Sequence, residues 1–262
     1  MTELAAHHQQ AVDRALTHFS AKLGVLAVIL AGSLARGTQT ETSDLDLIII
    51  LDDDAYTRGE DGKVWEGAEH ICDYPGGYVD LKCHPRQFLA AAAAQGSEPT
   101  RNAFLGTRCL VNSDPEIPRM LERIPVYPVE LKQEKILSFY GALQLSRGFF
   151  WGEAQKRNDP YLSMRTMTDV VLFGCRLILA HNEMLFPSHK RMLEAVDACA
   201  ETPKDFRALI DALLATPNNE TIHACSEAVL NFRDWGTGDW YMRYIDDFEL
   251  WWWKQRPYIA EW

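Results

Sequence analysis

Asp44 and Asp46, in Ser43-Asp44-Leu45-Asp46-Leu47, are separated by one residue and run into the apolar stretch Leu45 to Leu51, which holds three consecutive isoleucines. Strand side chains alternate between faces, so both carboxylates project from one side while Leu45 and Leu47 enter a core. Two like charges held there repel unless a cation sits between them. All-carboxylate oxygen ligation suits Mg²⁺, a hard ion that keeps waters and shares its shell with substrate phosphates. The arrangement asks for a nucleotide. A third carboxylate would complete a two-metal site, and Asp80 is the best candidate. In Tyr78-Val79-Asp80-Leu81-Lys82-Cys83, alternation places Tyr78, Asp80 and Lys82 on one face and Val79, Leu81 and Cys83 on the other. If that face meets Asp44 and Asp46, Lys82 is delivered to the same site to bind phosphate or balance charge.

Upstream, Ala31-Gly32-Ser33 closes another apolar run, Val25 to Ala31. Glycine lets a phosphate approach the backbone, and a serine hydroxyl with exposed N–H groups at a helix start supplies anion donors. Arg36 is a further phosphate candidate, with Glu41 and Asp44 as its alternative partners.

The elements that must position these residues follow from the patterning. Leu4 to Leu23 is read as an amphipathic helix stopping at Gly24, and Val25–Ala31 and Leu45–Leu51 as strands covered on both faces. Asp52 to Gly62 is read as an acidic loop. Glu69–Tyr74 and Gly77–His84 flank Pro75-Gly76-Gly77, which predicts a hairpin. Helices are expected over Pro85–Gln95 and Pro115–Ile124, with a short strand at Arg108–Val111. From Pro128 the pattern turns to long helical periods: Leu131–Trp151, Tyr161–Leu179, Ser188–Ala198 with Ser188 as N-cap, Phe206–Leu214 and Ile222–Trp253. The fold class is therefore α+β, a small mixed sheet with flanking helices followed by an all-α bundle, in domains 1–126 and 127–262.

The chain has 262 residues and a formal net charge of −11, with 26 Lys and Arg against 37 Asp and Glu. That balance argues against coating nucleic acid or an anionic membrane, which require a basic footprint. No apolar run approaches the roughly 20 residues of a membrane span. The start, MTELAAHHQQ, is acidic and polar, so no secretory signal is visible and a cytoplasmic location is expected. The six cysteines form no CxxC pair and are read as reduced thiols. The histidines show no metal spacing and are assigned to surface or capping positions. The stripe Trp240, Tyr244, Phe248 and Trp251-Trp252-Trp253 is read as packed core or a homodimer contact, with stacking on a ligand ring as the alternative.

Gly32-Ser33, ten residues, then Asp44-Leu45-Asp46 resembles the signature of the DNA polymerase beta-like nucleotidyltransferase superfamily, and Ser33-Leu34-Ala35-Arg36-Gly37 is similar to the form common in its minimal members. The resemblance covers about the first third of the chain. It implies that Asp44 and Asp46 hold two Mg²⁺ ions, that Asp80 completes the catalytic one, and that Gly32 and Ser33 contact the triphosphate of ATP or another NTP. The helical half looks like the bundle of aminoglycoside nucleotidyltransferases. Leu185-Phe186-Pro187-Ser188-His189-Lys190-Arg191 resembles a turn in related proteins that makes Lys190 a second phosphate contact. The function implied is transfer of a nucleoside monophosphate, most simply AMP, to a hydroxyl of a small molecule such as an aminoglycoside-like antibiotic, which would make the chain a resistance enzyme. The general base stays open among Asp80, Glu130, Glu153 and Asp169. The competing expectations are a regulatory module resembling the minimal nucleotidyltransferase antitoxins, acting on a protein or tRNA, and a nucleotide-binding protein without turnover.

Overall fold

The computed structural model describes residues 4–236 and 238–255. The chain divides into two compact units, one of residues 1–96 and 100–126, the other of residues 97–99 and 127–262.

In the N-terminal unit, helix α1 (Ala6–Ser20) leads through Gly24 to strand β1 (Val25–Leu30), the short helix α2 (Gly32–Arg36) and strand β2 (Leu45–Leu51). Short helices α3 (Asp53–Thr57) and α4 (Asp61–Val64) precede strand β3 (Val79–Pro85) and helix α5 (Arg86–Gln95). Helix α6 (Glu98–Ala103), whose first two residues are counted with the other unit, strand β4 (Arg108–Asn112) and helix α7 (Ile117–Arg123) complete it. The sheet order is β3-β2-β1-β4, with β1 antiparallel to β2 and β4, and β2 parallel to β3. This is the small mixed sheet of an α+β fold.

Both sheet faces are covered, as the unbroken aliphatic runs demand. Leu45, Leu47, Ile49 and Leu51 of β2 join Val28 and Leu30 of β1 beneath Ala11, Val12, Ala15 and Phe19 of α1. Ile48 and Ile50, with Ala27 and Ile29, face the other way, under Leu89 and Ala92 of α5 and Ile117 and Leu121 of α7. Each such aliphatic side chain removed from water contributes about 1.5–3 kcal/mol, so the registry of β2 is strongly specified.

Several expectations are corrected. Glu69–Tyr74 is not a strand, and no hairpin forms at Pro75-Gly76-Gly77: Ala68–His70 is a 3₁₀ turn and β3 pairs β2 in parallel. Parallel neighbours need a crossover instead of a tight turn, and 52–78 supplies it. Within the crossover, Ile71 and Tyr74 pack onto the α1 side of the sheet and the Tyr74 hydroxyl donates to Ser43 O at 2.8 Å, which uses those residues as a cover. The acidic stretch after β2 is also helical, because the Asp52 carboxylate accepts from Ala55 N at 2.7 Å and caps α3.

The C-terminal unit is all helical: α8 (Lys132–Leu145), a π turn at Ser146–Phe150, α9 (Trp151–Arg157), α10 (Pro160–His181), α11 (Met192–Asp197), α12 (Phe206–Ala215), α13 (Asn219–Leu230), α14 (Trp240–Tyr244) and α15 (Trp251–Lys254), the last two joined by a second π turn. The expected single helix Ile222–Trp253 is broken after Leu230, where Trp235 turns inward and its indole N–H donates to Val229 O at 3.0 Å. Ser188 makes no side-chain cap. α10 is the hub: Val170, Phe173, Leu177 and Ile178 lie in one core with Phe139, Phe206, Ile210 and Val229.

Inside this unit sits a charged cluster that the sequence analysis did not single out. Glu98, from segment 97–99, is 2% exposed; one oxygen accepts from Lys135 Nζ at 2.7 Å and forms an ion pair with Arg176 at 3.4 Å, while its second oxygen accepts from Phe186 N at 2.7 Å. The Arg176 guanidinium lies 4.4 Å from the ring centroids of both Phe139 and Phe186. Cations taken fully out of water need a carboxylate near them, and losing one member of such a set costs about 3–5 kcal/mol. Glu98→Gln is therefore expected to lower the urea-unfolding free energy of the full chain by about 3 kcal/mol or more. A change under about 1 kcal/mol would show that the cluster does not anchor segment 97–99.

Candidate active site at the β2–β3 edge

The site is built on two neighbouring parallel strands. Leu45 pairs with Val79, Asp46 with Asp80 and Ile48 with Lys82. Leu45 N donates to Tyr78 O at 2.9 Å, which extends the ladder one step beyond β2 and sets Asp44 opposite Tyr78. One face therefore carries successive cross-strand pairs, Asp44 beside Tyr78, Asp46 beside Asp80 and Ile48 beside Lys82, because aligned residues of neighbouring strands point the same way. Ile48 marks where this face enters the core; the carboxylates lie beyond it.

The third edge of the site is α2. Ala31 N donates to Asp46 O at 2.9 Å, holding the end of β1 against β2. Leu34 anchors the helix in the α1-side core, and Gly37, at φ 73°, ends it in the left-handed conformation. Gly32 also has positive φ, 63°, and a Cβ built on it would overlap the Asp46 carboxylate. Two constraints thus meet at one residue: the backbone requires φ > 0, and the space where a side chain would stand belongs to Asp46. Ser33 follows directly and is half-buried.

Asp46 reports the electrostatics. Its carboxyl ionises above the ordinary value of 3.8, first because burial disfavours the charge, then because Asp44 and Asp80 repel it; Lys82 and Arg36 act in the opposite direction. The other four charged residues singled out in the first third of the sequence, Asp44, Asp80, Lys82 and Arg36, thus all act on Asp46. Asp44, Asp46 and Asp80 are partly buried, Lys82 exposed. Lys190 is different: it lies in the C-terminal unit, exposed on the 3₁₀ turn His189–Arg191. Among the described residues, no group of three or more His, Cys, Asp or Glu side chains has the disposition of a formed metal centre. What the three carboxylates share is a face, a register and a charge coupling.

The family model for a nucleotidyltransferase domain matches residues 12–74, the span from α1 to the approach to β3. The N-terminal unit carries a nucleotidyltransferase domain. The matched span contains Gly32, Ser33, Arg36, Asp44 and Asp46, and the chain is accordingly a transferase of the nucleotidyltransferase type. Among solved structures, a nucleotidyltransferase-like protein from Exiguobacterium sibiricum 255-15 is similar over 86% of this chain and 74% of its own, at 15% identity and a TM-score of 0.49. Spectinomycin adenyltransferase from Enterococcus faecialis, solved with ATP and spectinomycin, is similar over 85% of this chain and 98% of its own, at 16% identity and a TM-score of 0.32. No curated protein matches the sequence.

Around the nucleotidyltransferase domain, some residues depart from expectation. His8 is fully buried, its ring 4.0 Å from that of His7 and 5.1 Å from that of Tyr74, so it is no surface histidine. The signal was present: His8 is in phase with Ala11, Val12, Ala15 and Phe19 on the buried stripe of α1. The aromatic stripe divides, with Tyr244 buried and stacked on Phe248 at 4.8 Å while Trp252 and Trp253 are 62% and 70% exposed. No described helix is long and apolar enough to cross a membrane.

The raised ionisation of Asp46 has a sign that can be measured. The folded chain keeps this proton to higher pH than the unfolded chain, so the charged form costs stability: nothing below the unfolded value, the full amount above the folded one. In metal-free buffer, Asp46→Asn is expected to raise Tm at pH 7, with the gain shrinking to zero as pH falls to the unfolded carboxylate value. A lower Tm for the variant at pH 7 would contradict the repulsion.

Proposed function

We propose that the chain transfers a nucleoside monophosphate, AMP in the simplest case, from an NTP to a hydroxyl of a small molecule. The observation that carries this reading is the carboxylate face of β2 and β3, on which the charge of Asp46 is opposed by Asp44 and Asp80 and favoured by Lys82 and Arg36. Three acidic groups whose repulsion is not fully answered by the protein form a donor set that fits a divalent cation, and carboxylate oxygens select a hard one. Asp44, Asp46 and Asp80 would hold two Mg²⁺ ions, which when bound neutralise phosphate charge and favour the ionised form of an acceptor hydroxyl.

The chain's own residues supply the rest. Gly32 leaves the space where a side chain would stand to the Asp46 carboxylate, which can therefore lie against the backbone at the start of α2. The Ser33 hydroxyl is a donor next to it, and Arg36 and Lys82 place positive charge against a polyphosphate. In the reaction the acceptor oxygen forms a bond to the α-phosphorus, the α–β phosphoanhydride bond breaks, pyrophosphate leaves, and the hydroxyl proton passes to a carboxylate, Asp80 being the candidate on this face. A cationic, polyhydroxylated acceptor of the aminoglycoside kind suits a chain of net charge −11, and a location in the cytoplasm, where ATP and such drugs meet, belongs to the same proposal.

The test is incubation of the full chain with α-labelled ATP, Mg²⁺ and separate panels of aminoglycosides, other polyols, proteins and tRNA. Pyrophosphate release with label on a small hydroxylated acceptor is expected, and loss of at least about 10³-fold in the Asp44→Ala, Asp46→Ala double variant. Label appearing only on protein or tRNA would replace the acceptor class. Transfer unchanged in the double variant would remove the site.

A further inference from the structure

Asp44 stands one residue ahead of β2, at the end of the loop that returns from α2. Two side chains grip that loop from outside it, and a turn closes it from within. The His7 ring of α1 donates from Nε2 to Glu41 O at 3.0 Å, and the Tyr74 hydroxyl of the crossover donates to Ser43 O at 2.8 Å. Inside the loop, Ser43 N donates to Thr40 O at 3.2 Å and Thr40 N donates to Ser43 Oγ at 2.9 Å. The Tyr74 ring is itself held: it lies 4.7 Å from the ring of His7 and 5.1 Å, edge-on, from that of the fully buried His8, and a Cβ on Gly77 would stand 2.4 Å from it. Sequence reasoning read Tyr74 as the end of a strand and gave it no role.

We propose that Tyr74 is a positioning residue for Asp44, acting through the peptide that joins Ser43 to Asp44; the role rests on Asp44 being a metal ligand, as proposed above. A peptide unit is planar, so a hydroxyl that fixes the Ser43 carbonyl also fixes the Asp44 amide in the same plane. The following peptide is fixed in turn, because Leu45 N donates to Tyr78 O at 2.9 Å. With both flanking peptides held, the two backbone torsions of Asp44 have little freedom left, and they set the direction in which its side chain leaves the backbone. Asp46 needs no such device, since it lies inside the β2–β3 ladder. A phenol keeps its proton at neutral pH, so it does this work without adding charge beside the carboxylates. Partners that orient metal-binding groups change metal affinity or activity by about 10–100-fold when removed, and one that acts through the backbone belongs at the lower end.

The experiment uses the full chain and reads Mn²⁺ binding by calorimetry in the presence of α,β-methylene-ATP, which cannot undergo transfer, at a temperature where every variant is folded. Tyr74→Phe keeps the ring against His7 and His8 and removes only the donor to Ser43 O. Asp52→Ala removes a hydrogen bond of the same unit beyond the other end of β2, the cap of α3, and controls for a general loss of stability. Asp44→Asn controls for the site. Expected is an Mn²⁺ affinity reduced about 10-fold in Tyr74→Phe, parent-like in Asp52→Ala and lost in Asp44→Asn. Parent-like affinity in Tyr74→Phe, with affinity lost in Asp44→Asn, overturns the role of Tyr74 and leaves the proposed function standing. Equal losses in Tyr74→Phe and Asp52→Ala make the hydroxyl a contributor to stability only and overturn it as well. Parent-like affinity in Asp44→Asn overturns the metal-binding reading itself, and the role of Tyr74 with it.

Discussion

Three carboxylates on one face of a sheet repel one another, and the N-terminal unit is organised around keeping them together. Parallel pairing of β2 with β3 sets Asp46 beside Asp80 in a register that cannot slip by one residue without moving Leu45, Leu47 and Ile49 out of the core and the aspartates into it. Burial of those aliphatic side chains, at about 1.5–3 kcal/mol each, favours the pairing that brings the carboxylates together. The charge is concentrated where the face leaves the core, beyond Ile48, and α2 closes the side where Gly32 yields its side-chain space to Asp46. Hydrophobic patterning thus holds an electrostatically unfavourable arrangement in place, and a cation would relieve it.

The same logic assigns the helices. α1 covers one face of the sheet along a stripe of small and apolar residues that includes His8, and α5 with α7 covers the other, so neither face is left to compete for the aspartates. The C-terminal unit solves a separate problem. Its core surrounds α10, and it draws in segment 97–99 by placing Glu98 between Lys135 and Arg176, a set of charges tolerable in an apolar interior because every member has an opposite neighbour and Arg176 stacks between two phenylalanine rings.

Much of the site could be read from side-chain parity. Asp44 and Asp46 at a spacing of two, and Tyr78, Asp80 and Lys82 at the same spacing, fall on one face of any strand that contains them, and the aliphatic runs beside them named the strands. The direction of β3 could not be read that way. Pro75-Gly76-Gly77 between two apolar pieces carries the local chemistry of a hairpin, and only packing of Ile71 and Tyr74 on the sheet makes the segment a crossover. Glu98 was hidden for a related reason: a glutamate before a proline reads as a solvated turn, and its partners lie 37 and 78 positions away. The break after Leu230 depends on Trp235 finding a carbonyl acceptor, which periodicity does not encode.

The most direct test of the central claim is a crystal structure of the chain with α,β-methylene-ATP and Mn²⁺, using anomalous scattering to locate the metal. The expected result is metal density bounded by carboxylate oxygens of Asp44, Asp46 and Asp80, with the triphosphate running past Gly32 and Ser33. Metal and nucleotide bound elsewhere, with these three aspartates turned to solvent, would contradict it.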